Sequence, residues 1–464
     1  MKESIEKRDH VLDQKVLIFF LVSLFLFNII LLRKYGEQSL IAFSVEIVFL
    51  LSAIIFFSYK KDYVIYIILV FLLQFVFLNN DFHYSFTLEF LLSFPLFILL
   101  LLAWFRLLYV GKSFSIVLSK FQKVILLFVL YSFVMAFIGL LNASDTLNIF
   151  VEWFHMFYYS FFFVFMFFLK KREDYYTILS FLLILSLIIS VEYIVVNFYL
   201  FNYRFVTFQS NFLPIVVGVL ISSFFFKYKR VTSLILLMIV IIGMISTQTR
   251  SLWIVTIIVL LSTLFLYMKT VGKFSFKKLI LLLLVCMLPF FLISDKDANK
   301  IADSETSNQI ENRAESISDP VSDISFLMRV EATYYAINKF LESPIWGKGF
   351  GDHLRLVITR NDDFNLYYID NSWGYMLWKG GLIGFTLFFL MVFYSVKYMY
   401  YVSQNTTDLK TKIIIIGLLG GFIGMIVLGT VSPHFIKYKS NVFFPLIFAY
   451  VDYEYKRLKA NGDN

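Results

Sequence analysis

The chain has 464 residues, of which 60% are hydrophobic, 20% aromatic and only 16% charged, with a formal net charge of +9. Soluble domains run near about 45–50% apolar and about 25% charged, and a single soluble core stops growing near about 250–300 residues. This balance excludes a secreted enzyme, a nucleic-acid-binding module and a receptor with one anchor. At about 20 residues per span, it predicts an all-α, polytopic transmembrane bundle of about 12–14 spans.

The first apolar run, 16–32, follows Lys2, Lys7, Arg8 and Lys15 like a signal peptide. No small-residue cleavage site comes after it, so it reads as an uncleaved first span. Further spans are predicted at 39–58, 63–78, 87–105, 124–141, 149–169, 177–200, 212–226, 231–246, 252–268 and 279–293. After a polar interval come 373–395, 413–431 and a short run at 442–451. The chain therefore divides into an N-terminal bundle (1–293), an extracytoplasmic loop (294–372), and C-terminal spans with a cytoplasmic tail (373–464).

With the N-terminus inside, the alternate inner segments hold 26 lysines and arginines, against six in the short outer loops. Positive charge concentrates on the cytoplasmic side, so both termini are expected there and the net charge is mainly a topology device. The one cysteine, Cys286, lies in an apolar run, which precludes an intramolecular disulfide. Gly417, Gly420, Gly421 and Gly424 make overlapping small-xxx-small spacings, which predict close helix packing.

The interval 294–372 carries fourteen acidic and eight basic residues and has no aromatic residue before Phe326. Its first part reads as solvated and flexible. Farther on, Val330, Tyr334, Ile337 and Leu341 recur at helical spacing, predicting a short amphipathic helix that ends before Pro344 and the turn S-P-I-W-G-K-G-F-G. Its apolar face is expected to lie back on the membrane domain.

Basic residues are scarce on the outer face, so Arg204, Arg250 and Arg329 stand out. A guanidinium fork suits phosphate, and the alternative is snorkelling to lipid headgroups. Asp370 stands where the loop re-enters the membrane, beside Asn371 and Ser372. It could serve as a general base toward a sugar hydroxyl, or the D-N-S triplet could simply cap the next helix. Glu46, Glu89, Glu152 and Glu192 lie in or near spans. Such acids are costly in lipid; they could pair with the arginines, line a glycan groove or couple ions in a transporter. His155 and His353 lack metal-ligand spacing, so no metal site is expected. For Asp352, Asp362 and Asp363 a solvated loop is preferred over a divalent site. Tyr334, Tyr335, Trp346 and Trp373 offer sugar-stacking surfaces but also fit packing or the interfacial belt.

Four outer-face segments, in order, resemble the O-antigen ligase and polymerase superfamily of bacterial envelope proteins. They are R-F-V-T-F-Q-S-N-F-L-P, S-T-Q-T-R-S-L-W-I-V, M-R-V-E-A-T-Y-Y-A-I-N-K-F-L-E-S-P-I-W-G-K-G-F-G and I-D-N-S-W-G-Y-M-L-W-K-G-G-L-I-G, spanning 204–384. The resemblance implies a membrane-embedded glycosyltransferase of the cytoplasmic (inner) membrane, using a polyprenyl-pyrophosphate-linked glycan on the outer face. It implies no cofactor, nucleotide sugar or metal. By position, Arg204, Arg250 and Arg329 would neutralise the pyrophosphate, Asp370 would be the base, and Asn211, Asn371 and Tyr334 would bind substrate. Ligases of the family typically carry His where this chain has Asp370, so the resemblance leans toward a repeat-unit polymerase. The alternatives are a ligase that transfers finished glycan, and a polysaccharide flippase or other transporter. A flippase would show internal repeats between halves, and no convincing repeat is present. Partners implied are the lipid-linked donor and acceptor, the bilayer, and a chain-length regulator or flippase, with no nucleic acid.

Overall fold

A computed structural model describes residues 100, 104, 118–142, 145–195, 212–247, 249–272, 324–356, 364–436 and 438–462. The expected spans before residue 100, the span 279–293, the domain boundary at 293/294, Arg204, Asn211, Glu46, Glu89, Asp362 and Asp363 lie outside the described residues.

The described part is almost entirely helical. It comprises α1 (Lys120–Asn142), α2 (Thr146–Phe157) running through a 3-10 turn (Tyr158–Ser160) into α3 (Phe161–Phe168), α4 (Arg172–Val195), α5 (Leu213–Phe225), α6 (Arg230–Ser246) and α7 (Arg250–Val271). There follow α8 (Ile324–Glu342), a β-hairpin of β1 (Leu354–Leu356) and β2 (Phe364–Leu366), α9 (Ser372–Asn405), α10 (Leu409–Leu428) and α11 (Tyr438–Gly462). Among the described residues, six helical segments are long and apolar enough to cross a membrane: α1, α2 with α3, α4, α7, α9 and α10. The chain is a multi-pass membrane protein.

The predicted glycine set does the packing expected of it. A Cβ at Gly417 or Gly421 would strike the backbone of α5, and one at Gly420 or Gly424 would strike Thr263 or Val259 of α7. Three helix backbones therefore meet closely along α10, which is how small residues let membrane helices gain dispersion contacts without a hydrophobic driving force.

These contacts also fix which helix ends share a side. Gly424 faces Val255 and Val259 while Gly420 faces Thr263, so α7 runs antiparallel to α10. Gly421 faces Ile215 while Gly417 faces Val219, so α5 does too. At the far end of α10, the Ser372 amide donates to the Gly429 carbonyl (2.8 Å) and the Trp373 indole to the Ile426 carbonyl (3.4 Å). The starts of α5, α7 and α9 thus converge beside the end of α10. We refer to this as the Asp370 end. At the opposite end, Arg172 binds Glu454 (2.8 Å) and Asp408 (3.3 Å), tying α4, α10 and α11 together.

The loop helix α8 forms and ends just before Pro344, as its periodicity predicts, but packs by a different face. Ala332 and Ala336 are buried against the bundle, whereas Val330, Tyr334, Ile337 and Leu341 are 44–65% exposed. The expected apolar contact is corrected: small side chains let α8 approach α9 closely, and the larger ones point away.

Beyond α8, the glycine turn docks into a break in α9. Gly381 has φ 60° and ψ −163°, so the helix is interrupted roughly 14 Å along from Ser372 at 1.5 Å per residue. The turn meets four of the freed backbone groups. Lys348 and Gly349 donate to the Trp378 and Lys379 carbonyls (2.9 and 3.0 Å), and Leu382 and Ile383 donate to the Pro344 and Ile345 carbonyls (2.8 and 3.3 Å). Tyr131 Oη of α1 donates to the Gly380 carbonyl (2.9 Å). A broken helix survives within a membrane domain only where protein supplies such partners. Gly347, Gly349 and Gly351 all have φ between 76° and 79°, the left-handed region that a side chain resists. A Cβ at Gly349 would also collide with the backbone at Gly139. Gly349→Ala should therefore cost about 1–3 kcal/mol, read as a lower unfolding midpoint in detergent, with Gly272→Ala, left-handed but in open space, falling less.

Candidate functional site

Among the described residues, the Asp370 end gathers Arg250, Arg329 and Asp370, three of the charged groups that the sequence singles out on the outer face. Asn371 is the N-cap of α9: its Oδ1 accepts from the Trp373 and Gly374 amides (3.1 and 3.0 Å). The cap within the D-N-S triplet is therefore Asn371, and Asp370, one residue earlier, is released from it. Asn371 keeps only its amide N–H groups for any ligand.

Asp370 instead meets Arg329. Arg329 Nε donates to Asp370 Oδ2 at 2.8 Å, and both side chains remain close to half exposed (41% and 44%). Arg329 lies in the second turn of α8, so the pair bridges the loop helix to the start of a membrane span. The bond occupies Nε and leaves both Nη groups for a second anion, which is how a guanidinium bridges two oxyanions. Arg250 is the first residue of α7 and is half-buried at the same end. Three helix N-termini (α5, α7 and α9) also point there. Their partial positive charges add to those of the arginines and favour a bound anion.

Tyr334 is 61% exposed on the outward face of α8, with its ring beside Tyr335 (5.7 Å). Trp346 is exposed, whereas Trp373 packs between Phe388 and Phe435. Trp373 is thus a packing residue. His155 Nδ1 bonds Tyr368 Oη (3.2 Å), and the His353 ring lies against Tyr367.

What sequence reasoning missed lies beneath this surface. For Glu152 of α2 the sequence leaves open pairing with an outer arginine, lining a glycan groove or coupling ions. Instead both its oxygens take Lys379 Nζ of α9 (2.9 and 3.0 Å), with both side chains at 0% exposure. The Gly351 amide donates to Glu152 Oε2 (2.7 Å), and Lys379 Nζ donates to the Asp352 carbonyl (2.5 Å). Asp352 in turn accepts from the Trp378 indole (2.7 Å) and Lys339 (3.3 Å). One buried ion pair thus joins two spans, the glycine turn and α8. The available signal was Lys379 itself, a lysine inside an apolar span.

Outside the spans, Lys348 binds Glu342 (2.6 Å) and holds its carboxyl below the usual range, fastening the end of α8 to the turn. Desolvation pushes the Tyr367 phenol up from its ordinary value, aided by its bond to Asp145. Between α8 and β1 opens a polar cleft of about 310 Å³, whose lining includes Tyr335, Asn338, Lys339, His353 and Arg355.

Residues 233–389 match the family model described as O-Antigen ligase. That interval takes in Arg250, α8 with Arg329, the glycine turn, Asp370 and the broken part of α9. No curated protein matches the chain.

Proposed function

We infer, from a chain whose residues 233–389 belong to the O-antigen ligase/polymerase superfamily, a membrane-embedded glycosyltransferase that polymerises polyprenyl-pyrophosphate-linked oligosaccharide repeat units on the outer face of the bacterial cytoplasmic membrane. The observation that carries this reading is the Arg329–Asp370 ion pair, standing half exposed at the end where Arg250 and three helix N-termini converge. Arg204 and Asn211 precede α5 in the chain and are assigned to the donor by family resemblance.

In this reading the acceptor sugar hydroxyl attacks the anomeric carbon of the donor. The bond from that carbon to the pyrophosphate oxygen breaks, and polyprenyl pyrophosphate leaves with the electron pair. Asp370 accepts the hydroxyl proton, and solvent later removes it. Arg329 and Arg250 meet the charge on the departing pyrophosphate, where preorganised donors contribute most. Arg329 keeps Asp370 in place through Nε while its Nη groups meet the pyrophosphate, so one guanidinium positions base and leaving group together.

A polymerase is favoured over a same-family ligase because Asp occupies position 370. A deletion strain separates the alternatives. It should accumulate single lipid-linked repeats on the outer face; lipid-linked long polymer would indicate a ligase, and repeats trapped on the cytoplasmic side a flippase.

A further inference from the structure

At the end opposite Asp370, an apolar cleft of about 340 Å³ opens between α4, α5, α6 and α10. Its mouth carries Lys229 and Lys410, and its depth is lined by Leu220, Leu418 and Phe443 among others. From Lys410 to Leu418 along α10 is about 12 Å at 1.5 Å per residue. That depth admits a stretch of acyl chain.

Some of the charges at this end are committed to ion pairs. Arg172 is paired with Glu454 and Asp408, Lys456 with Asp452, and Arg457 with Glu454. Among the described residues, Lys229 and Lys410 form no ion pair; Lys410 Nζ rests on the Tyr176 ring (3.8 Å) and Lys229 Nζ near the Tyr228 ring (5.9 Å). Lys410 lies within electrostatic reach of Asp408 and Glu173 as well as of Lys229, and Asp408 is itself held by Arg172, Tyr176 and Thr411. The turn that presents Lys229 is fixed in an unusual shape: Lys227 and Lys229 both adopt left-handed backbone (φ 60° and 44°). Ser223 and Ser233 hold it by donating to the Tyr228 carbonyl (2.8 and 3.3 Å). The inside-positive charge bias accounts for lysines at this end. It does not by itself set two of them at the mouth of an apolar cleft.

We propose that this cleft is a binding site for an anionic glycerophospholipid of the cytoplasmic leaflet, with one acyl chain between α5 and α10 and the phosphate between Lys229 and Lys410. Its headgroup supplies a negative charge that both lysines can share, and its tail fills the apolar depth. The site is separate from the reacting end and does not depend on the reaction proposed above.

The test uses the purified full chain, with retained lipid counted by native mass spectrometry after exchange into phosphatidylglycerol or phosphatidylcholine. Wild type should retain phosphatidylglycerol in preference and unfold at a higher temperature with it. Lys229→Gln and Lys410→Gln should each weaken retention about fivefold, the scale of one basic residue at an anionic surface, while Lys410→Arg keeps it. Thr232 is exposed at the rim, so Thr232→Phe should block retention without disturbing packing. Equal retention of the two lipids, unchanged retention in the double glutamine variant, or a preference for a short-chain polyprenyl phosphate would each overturn the assignment.

Discussion

Lys379→Met should lower the stability of the folded protein by about 3–5 kcal/mol, the usual penalty for stranding one member of a buried ion pair. Glu152 would lose its counter-ion while remaining at 0% exposure, and the Asp352 carbonyl would lose a donor. The expected readouts are a depressed unfolding midpoint in detergent and loss of protein from the membrane fraction. The double variant Glu152→Gln/Lys379→Met should recover much of the loss, because a neutral amide can still accept from the Gly351 amide and no charge is left buried. Wild-type stability in Lys379→Met alone would contradict the assignment of this pair as the joint between spans and loop. The joint matters for chemistry because it is distant from Arg329 but holds the turn that follows α8. A loosened turn would let α8 drift from the start of α9, and a misplacement of about 1 Å can cost about a hundredfold in rate.

Arg329→Lys should reduce chain extension by about 10²–10³-fold, the scale seen on removing one preorganised donor to a developing anion. Lysine keeps a positive charge near Asp370 but cannot bind a carboxylate and a phosphate at once through a rigid fork. If Arg329 only anchored α8 to Asp370, lysine would suffice and polymer length would hardly change. Unaltered extension by Arg329→Lys would therefore remove Arg329 from leaving-group stabilisation and leave it a structural role.

The legible part of the fold was set by apolar run length and by punctuation. Charged breaks bounded the spans seen as α1, α4, α7 and α10, and the four-glycine pattern foretold the close approach of α5 and α7 to α10. Periodicity found α8 and Pro344 ended it, but periodicity reports a stripe and not the neighbour it meets. The face carrying Val330 and Tyr334 was the conspicuous one, yet the alanines on the other side pack, since a helix descending on a bundle needs a thin face. The site showed the same limit. Asp370, Asn371 and Arg329 were recognisable by residue type and place, but which of them caps and which pairs is decided by one residue of register. Lys379 stands inside an apolar span, and its partner Glu152 lies 227 positions earlier. No local pattern links residues so far apart. The break at Gly381 was hidden in the same way, because W-K-G-G-L reads as ordinary helix until the glycine turn is laid against it.

In the proposed reaction Asp370 takes the acceptor proton. The most direct measurement is extension of a defined polyprenyl-pyrophosphate-linked repeat by purified protein, comparing wild type with Asp370→Asn and monitoring donor binding alongside. Asparagine preserves the size of the side chain and can still touch Arg329, but it cannot accept a proton. The account predicts retained donor binding with extension slowed by about 10²–10⁴-fold, the range for loss of a general base, and unextended repeats in place of a ladder. Long chains formed at the wild-type rate by Asp370→Asn would contradict it.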